Sequence, residues 1–248
     1  MTNQNQDSFK EKYKKHREKY DQTTSKIGIY LQDLVYGGND GIVTTFAVVS
    51  GSIGANLDPK VIIILGLANL IGDGTSMGFG NYLGIKSELD HYQKELKREY
   101  REIEEEPDCE TEEIREIYRR KGFTGNILEE ITKVITSDKD RWVDTMMKEE
   151  LELTIDPNAK PWAHGLTTFF SFLFFGFIPL IPFVFGLFEK KQFLVSIIGA
   201  FIALLTLGIL RYLVTRERGI IGVLEIIFVG SICAAVAYGV GALLDRLI

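Results

Sequence analysis

The 248-residue chain is 46% hydrophobic and 25% charged, with a formal net charge of −6, averages that would suit one ordinary soluble domain. Those averages conceal a segregation of nearly charge-free runs from a strongly charged segment, which excludes a plain soluble globule. The two cysteines, Cys109 and Cys233, fall in different segments, so no disulfide is expected.

In chain order, residues 1–30 form a polar, basic segment without the apolar core of a signal peptide. Phe9, Tyr13 and Tyr20 stand among its lysines, a pattern that suits a basic amphipathic helix on an anionic membrane surface or a solvated tail. Residues 31–85 hold two apolar runs, Gly41 to Leu57, lengthened backwards by Leu31, Leu34 and Val35, and Val61 to Ile85. Residues 161–248 hold three more, Trp162 to Phe188, Phe193 to Val214 and Gly219 to Leu244. Each is near the roughly 20 residues that a helix needs to cross a bilayer core. The expected fold is an all-α membrane protein with five transmembrane helices. Lysines and arginines are dense before the first span and sparse in the turn at Asp58 to Lys60, which with an odd number of spans puts the N-terminus inside, the C-terminus outside and the segment after the second span in the cytoplasm.

The intervening segment, residues 86–160, carries 22 acidic and 14 basic side chains, a net charge of −8, and so holds all of the chain's excess acidity. The second spanning helix is expected to continue into it as far as Pro107. Three further helices follow, Glu110 to Arg120, Asn126 to Ile135, and one opened by Asp138 at an N-cap position and running to Leu153. Ile103, Ile114, Ile117, Tyr118, Ile127, Leu128, Ile131, Val134, Trp142 and Val143 would supply a small core. A bundle of that size gains from pairing with a second copy.

Two constellations carry chemistry. Glu99, Glu102 and Glu106 stack on one helix face, as do Glu110, Glu113 and Glu116 after the Pro107 turn. Folded back as a hairpin, the two rows repel unless a cation lies between them, which suits a divalent metal; a solvated acidic helix pair supported by Arg and Lys is the plainer reading. Met146 and Met147 precede Glu150 by about one turn, and thioether ligands favour transition ions such as Fe²⁺, although methionine pairs more often simply pack a core. The second constellation lies in the membrane. Asn69, Asp73, Met77 and Asn81 recur every fourth residue, and Asp40 with Thr44 stands in the first span. An ionisable side chain at such depth marks a transport pathway by default, with an interfacial Asp40 as the alternative. On another face of the second span, Gly72, Ser76, Gly80 and Gly84 offer close packing to a span or a second subunit.

Only Glu88 to His91 fits the Glu-x-x-His pair that a di-iron oxidase uses twice. No Walker loop is present, so ATP-driven pumping has no engine in the sequence, and protonatable carboxylates point to a proton gradient. Neither an enzyme, an organic cofactor nor a nucleic-acid partner is expected.

The succession YGGNDGIVTTFAVVSG, GDGTSMGFGNYLGIKSE, HYQKELKREYREIEEEPDCE, WVDTMMKEELEL and GFIPLIPF resembles the vacuolar iron transporter family from Asp33 onward. The resemblance implies a homodimer with five spans per subunit and a cytoplasmic metal-binding domain. It also implies Fe²⁺/H⁺ antiport that removes iron from the cytosol, with Mn²⁺, Co²⁺, Ni²⁺ or Zn²⁺ as further substrates. Asp40 and Met77 match the family's intramembrane ligands, and Glu99, Glu102, Glu110, Glu113, Met146, Met147 and Glu150 match those of the cytoplasmic domain. One departure is that Asn69 stands where eukaryotic members have a glutamate; Asp73, one turn of about 5.4 Å further on, could restore the carboxylate. The expected setting is the plasma membrane of a prokaryote, or the vacuolar membrane in a eukaryote. A membrane-tethered metal buffer or sensor is the alternative function.

Overall fold

The computed structural model describes Lys14, residues 26–215 and residues 219–247. Of the basic N-terminal segment, residues 1–13 and 15–25 lie outside them. The helices are α1 (Lys26–Gly54), α2 (Pro59–Glu105), α3 (Pro107–Arg120), α4 (Gly125–Thr136), α5 (Lys139–Glu149), α6 (Pro161–Phe177), α7 (Ile181–Val184), α8 (Gln192–Thr215) and α9 (Gly219–Leu247). Every regular element among the described residues is helical. The chain divides into two compact units, one drawn from residues up to Asn81 and from Trp162 on, the other being Tyr82–Pro161.

Among the described residues, four stretches are long and apolar enough to cross a membrane: Pro59–Glu105, Pro161–Val184, Glu189–Leu213 and Ile227–Leu247. The first expected span, within α1, is not among these four. Asp33, Asn39, Asp40, Thr44, Thr45, Ser50 and Ser52 dilute its hydropathy although it is a continuous helix of 29 residues. Helix α1 packs along α8 and α9. It meets α6 through glycine: a Cβ on Gly37 or Gly41 would run into the backbone carbonyl of Thr168 or Phe172. Gly54 makes the corresponding approach to the Tyr238 carbonyl of α9, and a Cβ on Gly241 of α9 would run into the Gly51 carbonyl. Lipid tails are as apolar as leucine, so such close packing, rather than expulsion of water, is what holds spanning helices together.

The run Trp162 to Phe188, expected as one element, is broken. Pro179 and Pro182 lack the amide hydrogen that a helix needs, and α6 passes through a 3-10 turn at Ile178–Leu180 into the short α7. Helix α8 caps the break: Ser196 Oγ donates to the Pro179 carbonyl at 2.8 Å and Gln192 Nε2 to that of Pro182 at 3.2 Å.

In the second unit, the end of α2 packs with α3, α4 and α5. Pro107 occupies the first turn of α3, and the Asp138 carboxylate caps α5 by accepting the Arg141 amide at 2.8 Å. Helix α5 stops at Glu149, four residues short of the expected Leu153. Ile103, Ile114, Ile135, Trp142, Val143, Met146 and Met147 form the core. Burying a side chain of this size stabilises the unit by about 1.5–3 kcal/mol. Ile127 and Val134, expected in the core, are 60% and 57% exposed, because α4 turns Leu128, Thr132 and Ile135 inward instead.

Candidate metal sites

In the helical unit, α2 brings Glu95, Glu99 and Glu102 to one face, and α3 brings Glu110 and Glu113. Glu99 is only 1% exposed and Glu110 6%, and one carboxylate oxygen of each, Oε2, has no hydrogen-bond partner. Burial, followed by the charges of Glu150 and Glu102, pushes the Glu99 carboxyl up to about 7, against a smaller opposing pull from Arg98. Burial also pushes Glu110 up to about 7, aided by Glu113, Glu99, Glu150 and Glu102. Glu150, just past the end of α5 and solvent-exposed, is raised too, by burial of its carboxyl and by Glu113 and Glu102 against Arg98. Five of the expected glutamates, 99, 102, 110, 113 and 150, therefore feel one another's charge. Among the described residues, however, no three His, Cys, Asp or Glu side chains converge closely enough to hold an ion. Repulsion keeps the carboxylates apart, and Arg98 partly neutralises them, pairing with Glu95 at 2.7 Å, Glu102 at 3.1 Å and Glu99 at 3.4 Å.

Glu116 does not join them. Its carboxylate pairs with Arg119 and Arg120, which hold it below the usual range. Glu106 is exposed in the turn before α3. Met146 and Met147 are fully buried in the apolar core beside Ile103, Ile114 and Trp142, a position that packing alone accounts for.

In the membrane unit, α1 places Asp40 within electrostatic reach of Asp73 on α2. Asn69 lies one turn before Asp73, its buried Nδ2 without a partner, and the buried Oδ1 of Asn39 on α1 is likewise unpartnered. Met77 packs at the edge of the cluster formed by Leu70 and Phe172. Unpartnered polar atoms in an apolar unit cost free energy, which a water accepting from Asn69 Nδ2 and a cation or water at Asn39 Oδ1 would recover. The residues around Asp73 face outward: Ile71, Gly72, Asp73, Ser76, Phe79 and Gly80 are all exposed. Among the described residues, no atom packed from elsewhere comes within 4 Å of a Cβ on Gly72, Gly80 or Gly84.

Two features were missed by sequence reading. Glu95 is buried one turn before Glu99 on the same face, and its i, i+4 spacing was available as a signal. The second is a polar knot in the membrane unit. Asp33 on α1 accepts from Asn81 Nδ2 on α2 at 2.7 Å and pairs with His164 Nδ1 on α6 at 2.6 Å, while the Asn81 amide also donates to Thr168 at 2.7 Å. Nothing local in the sequence links residues 131 positions apart.

A sequence profile of the VIT family matches residues 31–242. A vacuolar iron transporter of Centaurea cyanus is 33% identical over 229 residues, which is 92% of this chain and 93% of the relative. Vacuolar iron transporters of Toxoplasma gondii and Plasmodium berghei are each 34% identical, over 98% and 87% of this chain and 82% of the relative in both cases. Over nearly all of its length, this chain belongs to the VIT family.

Proposed function

We infer that the protein is an integral membrane transporter, not an enzyme, that moves Fe²⁺ out of the cytosol in exchange for protons. Its family membership and the relatives named as iron transporters support metal transport. What supports the reading on this chain's own residues is that Asp40 lies within electrostatic reach of Asp73, with unpartnered polar atoms on Asn39 and Asn69 of the same two helices. Helix α1 is read as the fifth span: its 29 residues reach about 43 Å at 1.5 Å per residue, and α6, α8 and α9 shield its polar side chains.

In this reading Asp40, Asp73, Met77 and Asn69 bind the ion during passage, and protons compete for the two carboxylates to release it. Glu99, Glu102, Glu110, Glu113 and Glu150, with Met146 and Met147 in reserve beneath them, collect the ion from the cytosol. Mn²⁺, Co²⁺, Ni²⁺ and Zn²⁺ satisfy the same oxygen and thioether donors. Glu116, held by two arginines, is left out of the set. A homodimer that covers the open face of α2 would take Asp73 out of lipid. The membrane would be the plasma membrane in a prokaryote and the vacuolar membrane in a eukaryote.

A tethered buffer needs only the glutamates, and the half-buried Asp40 and Asn69 would then have no purpose. Purified protein in liposomes tests this: Asp40→Ala should cut Fe²⁺ uptake at least tenfold while metal binding to the full chain stays within twofold. Uptake unchanged in that variant would contradict the reading.

A further inference from the structure

Among the described residues of the membrane unit, Asp33 and His164 form a largely buried acid–base couple that the metal reading does not use. Asp33 is 7% exposed, and both of its oxygens are engaged, Oδ1 by Asn81 and Oδ2 by His164. With Asp33 as a carboxylate, which can only accept hydrogen bonds, the imidazole donates from Nδ1. That fixes the tautomer and makes Nε2 the atom that gains or loses the second proton. The pair is held from three helices. Helix α1 contributes Asp33 and the titratable Tyr30, whose ring lies 4.8 Å from the imidazole; α2 contributes the neutral Asn81; α6 contributes His164 and the neutral Thr168, which also donates to the His164 carbonyl at 3.1 Å.

Its depth differs from that of the metal ligands. Asp33 precedes Asp40 by seven residues of α1, about 10 Å at 1.5 Å per residue, and Asn81 follows Met77 by one turn, about 6 Å. His164 lies in the first turn of α6, next to the end of the charged segment. The pair therefore stands one to two turns from the ligands, towards the membrane face from which the charged segment leaves. A carboxylate alone would suffice to bind three helices together. An imidazole held on one nitrogen by a buried carboxylate is suited to more: it can exchange a proton on its other nitrogen without breaking its tether.

We propose that Asp33 and His164 form a proton site separate from the metal ligands, through which the counter-moving proton leaves the path on the cytosolic side. By way of water in the path, Nε2 of the neutral imidazole takes the proton released from the carboxylates of the metal path, the imidazolium is stabilised by Asp33, and the same Nε2 then gives that proton to cytosolic water. The bond from Nδ1 to Asp33 is kept throughout, so proton and charge balance at each step and no other reactant is needed. The inference rests on the antiport reading.

The test separates net exchange of iron for protons from simple exchange of iron for iron, which needs no proton to cross. Wild type, His164→Asn and Asp33→Asn are placed in liposomes; asparagine keeps an amide donor near the position of Nδ1 but cannot titrate. With a proton gradient imposed, both variants should lose Fe²⁺ uptake at least tenfold, while keeping at least half of the exchange of labelled for unlabelled Fe²⁺ at equal pH. Uptake and exchange falling together in both variants would mean that the pair only holds helices, and would overturn the proposal. Wild-type uptake in both variants would overturn it as well. If wild-type uptake itself ignores the gradient, the antiport reading fails and this inference fails with it, a result distinct from the other two.

Discussion

At the scale of single residues, the sharpest consequences attach to Glu99 and Glu110. Each is an acid pushed from 4.5 up to about 7 in the folded protein, so between those values the folded state holds a proton that the unfolded chain has lost. Stability contributed by the protonated forms is complete below about 4.5 and declines as pH rises to about 7. Glu99→Gln, which mimics the protonated acid, should raise the stability of the metal-free protein at pH 8 by on the order of 1–3 kcal/mol and flatten its pH dependence. Denaturant unfolding of the full chain at pH 5 and pH 8 checks this, and equal destabilisation at both pH values would contradict it. Metal binding requires the deprotonated carboxylates, so the affinity for Mn²⁺ or Co²⁺ measured by calorimetry should fall about tenfold per proton displaced for each unit below pH 7. An affinity flat from pH 7.5 to 5.5 would show that these two acids are not ligands. The glutamate rows were legible in the sequence because helical spacing alone puts 99 with 102 and 110 with 113. That Glu116 is drawn off by Arg119 and Arg120 was not, since a row of like residues does not reveal which members have nearer partners.

Among the elements, the tight contacts of α1 make a second kind of prediction. Gly41 faces the Phe172 backbone, which cannot step aside as a flexible side chain would. Gly41→Val should therefore cost about 1–3 kcal/mol or lose the folded protein altogether, whereas Gly84→Val, with open space around it, should fold normally. Thermal unfolding monitored in detergent distinguishes them, and equal behaviour would count against the packing described. The helices themselves were largely readable: proline, the Asp138 cap and apolar run length place most of their ends. The break in α6 was not anticipated, because apolar length says nothing about where Pro179 and Pro182 interrupt the hydrogen bonding. Helix α4 was misjudged for a related reason. It carries apolar residues on two faces, and Thr132 can be buried because its hydroxyl bonds back to the Leu128 carbonyl at 2.8 Å. Periodicity therefore did not show that Ile127 and Val134 face out. The polar content of α1, which keeps it from reading as a span, is the same feature that makes it the centre of the membrane unit.

For the whole molecule, the exposed face of α2 around Gly72, Asp73, Ser76 and Gly80 predicts a second copy packed against it, because a carboxylate facing lipid is costly. With Cys109 and Cys233 replaced by serine, Ser76→Cys should cross-link two subunits under mild oxidation in membranes, and Leu57→Cys, away from that face, should not. Cross-linking at both positions, or at neither, would contradict the arrangement. Fold class and family were legible because they depend on long runs and several motifs in order; the Asp33–His164 knot was not, because it exists only once three helices have met. The central claim is that iron and protons move in opposite directions through this chain. The most direct measurement records both in the same vesicles, an Fe²⁺-sensitive dye and a pH dye enclosed in liposomes bearing the wild-type protein, with Fe²⁺ added outside and no other driving force. The account predicts that iron entry acidifies the outside and alkalinises the interior, with both signals absent in Asp40→Ala. Iron entry without any pH change inside would contradict it.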